Sequence, residues 1–139
     1  MLSQTAEYAL RAVLAIAAEE EGQAVGAGKL AAALGMPQNY LSKTLNQLTR
    51  AGVLDSTRGK LGGFRLARPA ERIPLLDVVG PFDDITGRRA CLMGRPTCSD
   101  YNSCAAHDRW KAVSERMAEF FRDTTVGDLV HPRRGASGK

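Results

Sequence analysis

With 139 residues, 44% of them hydrophobic, and a formal net charge of +4, the chain has the length and apolar content of one domain with its own core. No apolar run approaches the roughly 20 residues of a membrane span, and Met1-Leu2-Ser3-Gln4 lacks the basic and apolar regions of a signal peptide, so a cytoplasmic protein with no membrane partner is expected. Three cysteines, an odd number, argue against a disulfide framework and fit a reducing compartment.

From Ser3 to about Glu21 the spacing predicts a helix, with Ala6, Ala9 or Leu10, Val13, and Ile16 or Ala17 on one buried stripe. Ser3 is placed to cap it and Gly22 to stop it. Glu7 falls in the first turn, where the helix dipole favours a carboxylate. A second, short helix is expected over 28–34 with Leu30, Ala33 and Leu34 inward, ended by Gly35. Met36 and Pro37 then open a third, to about Ala51, since proline suits a first helical position. Its packing face reads Tyr40, Leu41, Thr44, Leu45 and Leu48, while Gln38, Asn39, Ser42, Lys43 and Asn46 share a polar face free of acid. A short helix, a glycine turn and a helix with a donor-rich outer face make a helix-turn-helix, whose second member enters the DNA major groove. Any polar solvent face on a helical hairpin would show a similar pattern, so the neighbouring residues matter.

Two short strands follow, 53–58 and 64–67, joined by Gly59-Lys60-Leu61-Gly62-Gly63. The glycines permit positive backbone dihedrals. A hairpin after a helix-turn-helix is a wing, and Arg58 and Lys60 at its tip would reach phosphates or an adjacent minor groove. The loop has neither of the phosphate-cradling glycine spacings. Charge agrees with this assignment. Residues 28–68 carry seven Lys or Arg against Asp55 alone, a balance of +6, whereas 1–27 carry one Arg against four Glu, a balance of −3. A concentrated basic patch is the electrostatic footprint of a nucleic-acid binder.

The segment 73–80 reads as a short apolar helix ended by Pro81, and a loop runs from about Phe82 through Cys104. Loops of that length without secondary structure are usually functional. All three cysteines lie there, Cys91, Cys98 and Cys104, with His107 three residues beyond the last. Three thiolates and one imidazole suit structural zinc as well as an iron–sulfur cluster. A long helix is expected over 105–123. Its apolar positions Ala106, Trp110, Val113, Met117 and Phe120 or Phe121 alternate steps of four and three, the seam of a helix that packs lengthwise on another. That partner is either the chain's own first helix or a second copy. Because helix-turn-helix proteins usually meet two-fold operators as dimers, a dimerisation role is expected for Trp110, Val113, Met117 and Phe120. Thr125-Val126-Gly127-Asp128 has the form of a capping box for one last turn, and the tail from His131 to Lys139 reads as disordered.

The stretches Glu7-Tyr8-Ala9-Leu10-Arg11, Tyr40-Leu41, Arg58-Gly59-Lys60-Leu61-Gly62-Gly63-Phe64-Arg65-Leu66-Ala67-Arg68 and Cys104-Ala105-Ala106-His107-Asp108-Arg109-Trp110, together with the three cysteines, resemble the Rrf-two family of bacterial winged-helix regulators. The likeness covers all but about the last eight residues. It implies a homodimeric transcription factor, not an enzyme, in which an iron–sulfur cluster on the loop before the dimerisation helix governs DNA binding. It also implies metal ligands at Cys91, Cys98 and Cys104, with either His107 or a partner's Glu7 as the fourth. The first cysteine gap is one residue longer than in the iron–sulfur-assembly branch, so [2Fe-2S] and [4Fe-4S] both stay open. The DNA-contacting set is Gln38, Asn39, Tyr40, Ser42, Lys43, Arg58, Lys60, Gly62 and Gly63.

The expected fold is therefore mainly α with a small β wing: a winged helix-turn-helix plus a long C-terminal dimerisation helix. The expected divisions are a DNA-binding domain at 1–80, a cysteine-bearing sensor loop at 81–104, the dimerisation helix and final turn at 105–131, and the tail at 132–139. The expected partner is double-stranded DNA carrying a two-fold operator. A zinc-stabilised winged-helix regulator is the alternative. An iron–sulfur electron carrier would need clustered cysteines but has no use for a basic wing, and no paired carboxylates or catalytic triad suggest an enzyme.

Overall fold

A stripe of alanines makes α1 (Gln4–Ala17) the helix on which the others assemble. Ala6, Ala9 and Ala12 are fully buried beside Val13 and Ile16, and their small side chains let α3, α4, α6 and the wing all pack on α1. Ser3 caps the helix as expected, its hydroxyl accepting from the Ala6 amide at 3.1 Å. The helix ends at Ala17, four residues short of the expected Glu21. The run beginning at Glu19 would set carboxylates against the negative end of the helix dipole. The structure, a computed structural model, describes residues 2–19, 23–85 and 105–130. Gly22, the cysteines Cys91, Cys98 and Cys104, and the tail 132–139 lie outside the described residues.

Helix α2 (Ala27–Leu34) and helix α3 (Gln38–Arg50) end the same way. Gly35 and Gly52 take positive φ, 67° and 82°. The amides beyond them, Met36 and Val53, each donate 3.0 Å back to the carbonyls of Ala31 and Leu48. This is the Schellman arrangement, and in both cases the apolar residue after the glycine is buried. In α2 the buried pair is Leu30 and Ala31, with Leu34 half-buried and Ala33 exposed. The expectation of Ala33 inward is thus corrected: the stripe runs through positions 30, 31 and 34. Pro37 stands one residue before the helix as its N-cap. Leu41, Thr44, Leu45 and Leu48 fill the inner face of α3.

Strands β1 (Leu54–Thr57) and β2 (Gly63–Leu66) pair antiparallel with Leu54 opposite Leu66 and Thr57 opposite Gly63. Val25 adds a one-residue third rung, exchanging two 2.8 Å hydrogen bonds with Phe64. A 3-10 turn at Ala70–Arg72 leads to α4 (Leu75–Val79), shorter than the expected 73–80 because Ile73 is extended and Pro74 caps the helix. Helix α5 (His107–Asp123) is followed by α6 (Val126–Val130). The chain between them returns to the first half. The Leu75 amide donates to Thr124 and the Val126 amide to Ile73, each at 2.8 Å. Thr125 and Asp128 form the expected capping box, each side chain accepting from the other's amide, at 3.1 and 3.0 Å.

Candidate nucleic-acid interface and metal-ligand residues

The outer face of α3 is built by exclusion. Four buried residues turn inward, and the positions between them are left to solvent. Gln38, Asn39, Lys43 and Asn46 are exposed and Ser42 is half-buried. Gln47, one turn beyond Lys43 and also exposed, extends the face. Its spacing four residues after Lys43 is the signal that identifies it. The Gln38 amide lies across α2, 3.5 Å from where a Cβ on Gly28 would stand. No Asp or Glu occurs within α3.

The wing presents its cations by tight backbone geometry. Gly59 has φ 105°, and the Gly62 amide donates 3.0 Å to the Gly59 carbonyl, closing the tip. A Cβ at Gly62 would lie 2.3 Å from the Thr57 carbonyl oxygen. At Gly63, with φ 148°, it would lie 2.5 Å from the Val25 carbonyl. Any side chain at these two positions would push the hairpin apart or detach it from Val25. Their role here is to shape the loop that holds Arg58, Lys60 and Leu61 outward; all three are exposed, Leu61 by 93%. Asp55, the lone carboxylate of the basic segment, is matched across the strands by Arg65.

Tyr40 sits at the margin between this face and the core, 36% exposed, so it is only partly the packing residue its spacing suggests. Its hydroxyl is hydrogen-bonded to that of Thr5. Its ring meets Tyr8 edge-on, 5.6 Å between centroids with the planes at 90°. The α1 residues that receive it carry no signal in periodicity alone.

Of the expected metal ligands, His107 and Glu7 fall within the described residues. His107 is buried, with 3% exposure, at the first position of α5. Glu7 is exposed in the first turn of α1. His107 follows Cys104 by three residues in sequence, and thiolates with an imidazole are donor types that suit an iron–sulfur cluster or zinc.

The seam on α5 divides between inside and outside. Phe121 is buried against the first half of the protein, Trp110 and Met117 are half-buried, and Val113 and Phe120 are 50% and 52% exposed. Ala112, Val113, Arg116, Met117, Phe120 and Phe121 line an open apolar groove of about 470 Å³. Among the described residues, no helix is long and apolar enough to cross a membrane.

Residues 2–132 match the family model Rrf2, described as an iron-dependent transcriptional regulator. A chain from Aquifex aeolicus (strain VF5), named no more closely than an HTH-type transcriptional regulator, is 32% identical over 133 residues, covering 94% of this chain and 92% of its own. The HTH-type transcriptional regulator IscR of Vibrio atlanticus (strain LGP32) is 30% identical over 129 residues, covering 93% of this chain and 74% of its own. The fold is shared with CymR of B. subtilis, a global cysteine regulator, at a TM-score of 0.78 and 20% identity, covering 94% of this chain and 95% of that one. It is shared equally with T. potens IscR, at 0.76 and 20%, covering 100% and 92%.

Proposed function

Because the chain belongs to the Rrf2 family of winged-helix transcription regulators, we propose that it reads a two-fold operator as a homodimer under the control of an iron–sulfur cluster. One observation carries the DNA half of this reading: the acid-free outer face of α3 occurs together with an exposed wing tip bearing Arg58 and Lys60. Gln38, Asn39, Ser42 and Lys43 reach base edges in the major groove, where paired donors and acceptors discriminate sequence. Arg58 and Lys60 hold backbone or minor groove, fixing register without reading it. Gly62 and Gly63 serve by letting the wing close.

The dimer reading is supported by the half of the α5 seam that its own chain leaves uncovered. Val113 and Phe120 of two copies packed lengthwise would bury that face, and a two-fold axis along α5 would set two copies of α3 for successive major grooves, about 34–36 Å apart. The ligand reading is supported by the chemistry of the donors. Cys91, Cys98 and Cys104 would hold the cluster, with His107 or the exposed Glu7 of a second copy as the fourth ligand. An exposed carboxylate is a hard donor weakly matched to a cluster iron, which would make such a bond labile. When bound, the cluster supplies a centre sensitive to redox state, nitric oxide or iron–sulfur supply. Residues 81–104 precede α5 by two positions in sequence, so a cluster held there would bear on the helix that sets the spacing of the two reading heads.

Two measurements test the two halves. Lys60→Ala should weaken binding on all DNA sequences and lower the slope of log affinity against log salt by about one; an unchanged slope counts against the wing. Protein purified without oxygen should be brown and contain iron and acid-labile sulfide. Colourless protein holding zinc would replace the sensor with a structural site and leave the DNA reading intact.

A further inference from the structure

We propose that Thr5, Tyr8 and Tyr40 form a clamp that fixes the angle of α3 on α1, with Tyr40 acting through Thr5 and not by touching DNA. The inference rests on the reading of α3 as the DNA-reading helix.

The start of α3 is the end that meets base edges, and it is the end least held by apolar packing. Its buried residues begin at Leu41, the fourth position, while Gln38, Asn39 and Tyr40 are exposed. Its N-cap is Pro37, which has no side-chain oxygen to accept from the first-turn amides, and no side chain caps the helix. The leucines that seat the rest of α3 supply a non-directional force, which resists separation better than it resists rotation. A directional device is needed at the first turn, and α1 provides one. The Thr5 and Tyr40 hydroxyls are hydrogen-bonded, and the Tyr8 ring packs edge-on against Tyr40, an arrangement that is geometrically selective.

Tyr8 is itself held. Gln4 donates to its hydroxyl at 3.1 Å, and the Arg11 guanidinium stands 6.0 Å over its ring. Arg11 also donates, at 3.3 Å, to the carbonyl of Leu34 at the end of α2, where a cation is favoured. Gln4, Thr5, Tyr8 and Arg11 lie at spacings of one, four and seven, on one face of α1. That face therefore grips both sides of the turn: the last carbonyl of α2 and the first turn of α3. With its hydroxyl engaged by Thr5, Tyr40 is assigned to orienting its neighbours Gln38, Asn39 and Lys43.

The test uses the full-length protein and two near-isosteric substitutions, Thr5→Val and Tyr40→Phe, singly and together. A duplex enriched from a random-sequence library by the wild-type protein serves as the specific probe, and poly(dI-dC) as the non-specific one. Each single variant should lower the ratio of specific to non-specific affinity by about three- to tenfold, the range of one lost hydrogen bond. The double variant should be no worse than the poorer single one. Thermal melts should show all three folded at the binding temperature, so a lost ratio reports orientation and not unfolding. If Tyr40→Phe costs as much in the Thr5→Val background as alone, Tyr40 contacts DNA itself and the clamp is wrong. Singles that leave the ratio unchanged also overturn it. A wild-type protein that enriches no duplex would instead overturn the DNA-reading assignment on which the clamp depends.

Discussion

The two halves of this molecule solve the problem of apolar surface differently. In the first, helices α1 to α3 and the wing bury their apolar faces within the one chain, α4 and α6 helping to cover α1, with Leu41, Leu45, Leu48, Val53 and Leu54 essentially removed from solvent. In the second, α5 runs 17 residues but turns only His107 and Phe121 fully inward, leaving Val113 and Phe120 half in the open. The first half covers its core within one chain, whereas the second leaves an apolar face open, the face proposed above for a second copy. Stability should therefore be concentrated in the reading half and assembly in α5, and substitutions can separate the two.

The largest effect is expected in the closed half. Leu45→Ala removes a fully buried side chain from the inner face of α3, and should cost about 2–5 kcal/mol in chemical denaturation. Gly63→Ala comes next. Its φ of 148° and the 2.5 Å approach to the Val25 carbonyl combine a disfavoured conformation with a backbone clash, worth about 1–3 kcal/mol. The observable is loss of slow hydrogen exchange at the Val25 and Phe64 amides, each of which donates to the other residue's carbonyl. If either substitution left stability unchanged, the reading half would not be the closed unit described.

Phe120→Ser addresses the open half. Because Phe120 is 52% exposed in one chain, its loss should leave the reading half folded while weakening the proposed α5 dimer at least tenfold, the effect expected of truncating an aromatic anchor. Sedimentation against concentration reads this directly. A variant that stayed dimeric at the same concentrations would place the interface elsewhere.

The same contrast explains what could be read from the residues. Features set by neighbouring residues were legible: the Ser3 cap, the glycine stop at Gly35, the wing loop, and the box of Thr125 and Asp128. Each depends on a few adjacent side chains and on conformations that only certain residues adopt. Features set across the fold were not. Nothing local distinguishes Ala31 from Ala33 as the buried alanine of α2, since either lies within a helical step of Leu30. Val25 becomes a third rung of the wing only because the fold sets it beside Phe64, thirty-nine residues later in sequence. The spacing of α3 places Tyr40 among packing residues, but its partners Thr5 and Tyr8 lie more than thirty positions earlier, so the rim contact is invisible without the fold. The α5 seam shows the remaining ambiguity: alternating steps of four and three identify an apolar face, but not whether the chain's own body covers it. The answer is split, with Phe121 covered and Phe120 not.

The smallest effect belongs to the joint between the halves. Asp128→Ala removes one side of the capping box while leaving Thr125 to accept from the amide at position 128, so about 0.5–1.5 kcal/mol is expected in thermal or chemical unfolding. The consequence should exceed that figure in location if not in size. The box holds the turn at which the Thr124 carbonyl and the Val126 amide bond to Leu75 and Ile73, and these bonds fasten the C-terminal end of α5 to the reading half. Loosening them should raise hydrogen exchange at Leu75 and Val126 while leaving the wing pair of Val25 and Phe64 protected. Uniform loss of protection throughout would mean that the halves unfold as one unit and that α5 is not separately hinged there.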